Sequence, residues 1–203
     1  MERPDLPALI RPGGDLTAAR AVAYTRAMSR LLASLVALLL PVSMVEGRGE
    51  DPCAAFSWDV HHERELFAQQ PVDLASGKAQ GDAPALTPDR LYELELRAQP
   101  EVSFAAPPSR TWPTEASYAG MARLTVESPG VYRFALDQPA WVDVVVNGAV
   151  LKSRDAQGRP GCSAPHKIVE FSLPAGRPML LEFSASVTPS IKVTVSRSPA
   201  QTH

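Results

Sequence analysis

The sequence predicts an all-β protein: an antiparallel two-sheet sandwich, jelly-roll-like, with one short N-terminal helix. Three observations carry that prediction. Apolar and polar residues alternate with period two in stretch after stretch beyond Leu91, as they do in strands with one face buried. Turn signals fall between the stretches. Twenty prolines among 203 residues, about twice the usual share, break the chain into short elements, because proline is excluded from helix interiors and central strands.

The chain opens with residues 1–27, which carry Arg and Pro without a strong hydrophobic period. They are read as an extension, either disordered or preceding a true start at Met28. Residues 28–47 have the layout of a Sec-type signal peptide. Met28-Ser29-Arg30 is charged, Leu31 to Leu40 is apolar throughout, and Pro41 leads to a polar stretch beginning at Glu46, with Val45 and Gly47 as the small residues before the cut. An apolar segment of this length falls short of the roughly 20 residues that span a bilayer, so cleavage after Gly47 is expected rather than anchoring. The expected location is the periplasm or the cell exterior, with no membrane association after cleavage.

Export bears on the two cysteines, Cys53 and Cys162. An even count in an oxidising compartment reads as a disulfide. Closing so long a loop removes unfolded-chain entropy worth on the order of 4 to 5 kcal/mol. Two free thiols are the alternative; a lipid on Cys53 is disfavoured by the polar approach Glu50-Asp51-Pro52.

Residues 48–90 are expected to form a short helix and a loop. Asp59 is placed to cap one or two helical turns, with Val60, Phe67 and Glu63 loosely sharing a face. Gln70 to Pro88, rich in Pro, Gly, Ala and Asp, reads as surface loop. The sandwich proper is expected over 91–198. Tyr92, Leu94 and Leu96 alternate with Glu93, Glu95 and Arg97, three side chains for a core and three for water. The same half-buried reading applies to Leu124 and Val126; Tyr132, Phe134 and Leu136; Val142, Val144 and Val146; Val169, Phe171 and Leu173; Leu181 and Phe183; and Ile191, Val193 and Val195. Asn147-Gly148 is the strongest hairpin mark, since both residues accept the positive φ of a type I′ turn. Seven or eight such strands call for two packed sheets.

The segments Cys53-Ala54-Ala55-Phe56-Ser57-Trp58-Asp59-Val60, Leu136-Asp137-Gln138-Pro139-Ala140-Trp141-Val142-Asp143-Val144 and Gly161-Cys162-Ser163-Ala164-Pro165-His166-Lys167 resemble a family of small exported β-sandwich proteins of Gram-negative bacteria. The resemblance covers nearly all of the chain after the leader. Some members of that family carry the name homogentisate 1,2-dioxygenase, which implies a non-haem iron held by two histidines and one carboxylate. The ligand motif of that enzyme has no counterpart in this sequence.

The histidines are His61, His62, His166 and His203, and a two-histidine, one-carboxylate site would take Glu63 or Glu65 as its acid; by spacing it would have to be built from His61, Glu65 and His166. His61 and Glu65 stand at i, i+4 spacing, whereas the adjacent His62 points about 100° away on a helix. The plainer reading is an exposed polar helix face. Trp58, Trp112 and Trp141 could stack on sugar rings, although aromatics more often fill cores. Asp143, Lys152, Arg154, Asp155 and Arg159 read as a solvated rim around the hairpin. No Ser-His-Asp spacing, phosphate loop, CxxC or HExxH is present. A net charge of -2 and a pI near 6.1 give no basic excess for nucleic acid or anionic lipid.

The expected function is therefore that of an exported, non-catalytic β-sandwich protein of the periplasm or envelope that binds a protein partner or a carbohydrate, without a cofactor. The alternatives are an iron dioxygenase and a structural accessory subunit.

Overall fold

A computed structural model describes residues 51–110 and 117–199. Among these the chain forms one α-helix, α1 (His61–Phe67), and twelve strands. They are β1 (Val72–Ala75), β2 (Ala85–Leu86), β3 (Leu91–Glu95), β4 (Arg97–Ala98), β5 (Tyr118–Leu124), β6 (Gly130–Leu136), β7 (Trp141–Val146), β8 (Ala149–Val150), β9 (Asp155–Gly158), β10 (Lys167–Leu173), β11 (Met179–Ser186) and β12 (Ser190–Arg197). One sheet has the order β1-β3-β12-β6-β10-β9 and the other β2-β5-β11-β7-β8, with β4 paired to β5 off that path. This is a two-sheet sandwich, as the alternation predicts. Every alternating set named above points into one shared core. Phe134 and Phe171, on neighbouring strands of the same sheet, meet edge to face at its centre.

The sheets are mixed rather than wholly antiparallel. Both parallel pairs, β1 with β3 and β2 with β5, come from the stretch read as a surface loop. That reading fails because edge pairing needs only a few extended residues, which leave no periodic trace. The stretch also links the sheets. Ser76 donates to Glu95 O at 2.7 Å, and Gly77 pairs with Met121 on β5. A Cβ on Gly120 would lie 2.1 Å from Ser76 Oγ, so glycine is required where this crossover presses on β5. One side of the sandwich is thereby closed, while on the other the short strands β8 and β9 leave the space between the sheets accessible.

The half-buried reading holds for β3, where Glu95 is exposed. It fails for the central strands, which are buried on both faces. Two non-local segments cover the outer faces. The first is the N-terminal stretch with α1, tied down by the Cys53–Cys162 disulfide, whose Cα atoms lie 5.0 Å apart. Its Phe56 and Val60 pack on Ala135 and Ile168. Beneath it, Arg133 donates to Glu170 Oε1 at 3.0 Å and to Asp59 O at 2.7 Å, and lies 3.5 Å from Glu63 Oε1. Ser196 donates to Glu63 and Ser198 to Glu170. The helix thus turns Glu63 and Leu66 inward and leaves Phe67 at the margin. Asp59 sits one residue before the N-cap Val60 and accepts from His61 N at 3.0 Å.

The second cover is a strap after β4, running from Gln99 to Arg110. Ala106 and Val102 pack on Met121, Val145 and Leu180. Glu182 and Asp143, cross-strand partners on β11 and β7, both face the strap and accept from its backbone. Ala105 N and Ala106 N donate to Glu182 Oε1 at 2.7 and 3.1 Å, and Ser109 N donates to Asp143 Oδ2 at 3.0 Å.

Candidate functional site

The open side of the sandwich carries a groove in two compartments of about 360 and 420 Å³ that share Trp141, Ala156 and Lys167. These volumes fall within the usual range of ligand pockets. Trp141 stands at the start of β7 on the outward-facing side of that strand. Its Nε1 donates to Ser109 Oγ at 2.8 Å and to Asp143 Oδ1 at 3.2 Å. Ser109 Oγ in turn donates to Asp143 Oδ1 at 2.5 Å. Asp143 therefore belongs to a buried bracket that fixes the indole ring and is 3% exposed. It is not part of a solvated rim, because the strap, which has no periodic signature, lies over it. The other four residues of the expected rim, Lys152, Arg154, Asp155 and Arg159, are exposed or half-buried.

Lys167 approaches from the other sheet. On β10 it shares the inward side with Val169, Phe171 and Leu173, which lie in the core, so its side chain enters the space between the sheets where that space opens. Nζ donates to Ala140 O at 2.9 Å and sits 4.7 Å from the centroid of the Trp141 ring. The Arg110 guanidinium lies 5.3 Å from the same centroid. Burial, with the Arg110 charge second, holds the Lys167 ammonium below the ordinary lysine range, and Asp143 partly offsets both. Two cations on one indole form a cation–π cluster. The ring is thus engaged by charge before any sugar could stack on it.

The other sequence candidates are scattered. Trp58 lies under Arg133, 4.9 Å from ring centroid to guanidinium carbon, and packs with the N-terminal cover. Trp112 and His203 fall outside the described residues. His61 Nε2 and Glu65 Oε1 are 3.2 Å apart on a strongly exposed helix face, while His62 pairs with Asp89 at 2.8 Å. His166 Nδ1 is 3.1 Å from Cys162 O, and its side chain lines the second compartment. Among the described residues no three His, Cys, Asp or Glu side chains converge to hold a metal. The structure does not bring His61, Glu65 and His166 together as a ligand set.

Sequence reasoning missed Lys167, Ser109 and Arg110. A signal for Lys167 was present, since following the alternation of Leu173, Phe171 and Val169 back two more residues puts a lysine on the core side. Ser109 and Arg110 gave no such signal, because they reach the site only through the path of the strap.

Among the described residues no helix is long and apolar enough to cross a membrane. Compared with protein-family models and with curated proteins, the chain matches no family model and no curated sequence.

Proposed function

We propose that this chain is an exported, non-catalytic binding protein of the periplasm or cell envelope, a jelly-roll-like sandwich freed by removal of a Sec-type leader, and that it captures its ligand in the groove around Trp141. One observation carries the choice of site. The outer faces of both sheets are covered in part by the chain itself, by the N-terminal segment on one side and by the strap on the other. These covers leave less of either face free for a ligand, and among the described residues the more apolar recess is the groove at β8 and β9. Its lining is mostly apolar with a few convergent polar groups, the usual make-up of a ligand site. The carbohydrate and protein-segment classes both enter at this groove in the proposal.

The test uses the mature protein, purified untagged, and its Trp141→Ala variant on a glycan array and by native mass spectrometry for co-purified ligand. A ligand retained by the parent and lost by a folded variant is the expected result. Equal retention by both proteins would move the site elsewhere. Stoichiometric iron that disappears on His61→Ala or His166→Ala would replace a binding protein with an oxygenase.

A further inference from the structure

We propose that the groove takes a small, freely dissolved apolar molecule ending in one carboxylate, its body lying along the compartments and its headgroup on Lys167. The proposal rests on the groove being the ligand site, and it names a ligand class other than the carbohydrate and the protein segment.

The lining comes first. One compartment is walled by Val142, Val169 and Phe171 and the other by Pro139, Ala185 and Val187. Polar side chains such as Ser153, Gln157 and His166 stand among them, but most of the lining is apolar, so an apolar body makes the larger contact. The charge comes second. An ammonium has three donors, and Lys167 spends one on Ala140 O. Among the described residues no carboxylate lies within 4.0 Å of Nζ. The nearest acid in the bracket, Asp143, already accepts from Ser109 N, Ser109 Oγ and Trp141 Nε1. An inward-facing cation in an apolar recess, with a guanidinium on the same indole, favours an oxyanion over a neutral acceptor, because the charge-assisted hydrogen bond is the stronger one.

A free solute is favoured over a membrane surface by the outline of the protein. Val187 is the one large hydrophobic strongly exposed among the described residues, which is too little apolar surface to enter a bilayer. The apolar walls of the first compartment, Val142, Val169 and Phe171, are recessed between the two sheets.

Isothermal titration of the mature protein with decanoate, decanol and decyltrimethylammonium tests the proposal, with Lys167→Met and Lys167→Gln as variants. Decanoate is expected to bind at least about tenfold more tightly than decanol, the worth of one charge-assisted hydrogen bond, and the cationic analogue is expected to bind least. Either Lys167 variant should erase the preference, bringing the affinity for decanoate down to that for decanol. Decanol binding as tightly as decanoate, or a preference that survives both variants, overturns the carboxylate while leaving the groove as a ligand site. Sedimentation with phosphatidylglycerol vesicles in the absence of decanoate binding overturns the free solute. If neither these probes nor the glycan array and native mass spectrometry show any Trp141-dependent ligand, the binding reading falls as well.

Discussion

Glu182 shows how a single buried acid shapes this protein. Its Oε1 takes both strap amides, while Oε2 is buried without a partner. Burial is the largest influence and raises its carboxyl above the ordinary 4.5, the two strap amides pulling the other way and Asp143 adding to the rise. The folded protein therefore keeps this proton to a higher pH than the unfolded chain does. Stability from the group is complete below the unfolded value and is lost as pH rises through the raised folded one. Glu182→Gln keeps an oxygen for the two amides and removes the charge. Thermal melts from pH 4 to 8 should show the variant gaining on the parent as pH rises. A difference that stays constant across that range would show that the charge of Glu182 is not what the pH dependence reports. Lys167 is the opposite case: burial depresses its ammonium, and a carboxylate bound beside it would raise it again.

Among the elements, α1 has only seven residues, too few to hold together in water without tertiary contacts. It is held by what lies beneath it, the buried set Glu63, Arg133 and Glu170, with Arg133 also donating to the chain just before the helix. Removing one partner of such a set strands the others in low dielectric. Arg133→Ala leaves two buried carboxylates without their cation and should cost about 3 to 5 kcal/mol in urea unfolding, of the order measured for broken buried pairs. A cost under about 1 kcal/mol would mean that the two carboxyls are solvated or take up a proton once the cation is gone. The β7 to β8 hairpin is tied to sequence far more locally. Asn147 and Gly148 have φ of 51° and 77°, the left-handed pair that a type I′ turn demands.

For the molecule as a whole, the disulfide spans 109 residues of sequence and joins the N-terminal cover to the loop before β10. In the loop-closure account, such a crosslink is worth on the order of 4 to 5 kcal/mol through the unfolded state. The double variant Cys53→Ala/Cys162→Ala should lose about that much in denaturant unfolding while keeping a strand-dominated far-ultraviolet spectrum. Loss of the β signature itself would mean that the cover is needed for the sandwich to form, and not only to stabilise it.

The alternation of side chains along each strand was legible in the sequence because period two is a property of the strand itself. Tyr92, Leu94, Phe134, Val144, Phe171 and Val193 all fall on the core side for that reason. The Asn147-Gly148 turn and the cysteine pair were legible on equally local or compositional grounds. The covers, the parallel edge strands and the site were decided by tertiary structure. Asp143 reads as a surface acid until Ser109 closes over it, and Trp141 acquires two cations from segments 31 residues before it and 26 after it in the chain. Such partners are chosen by where a connecting segment runs across a finished sheet, and a segment without a period writes no trace of its route into its own residues.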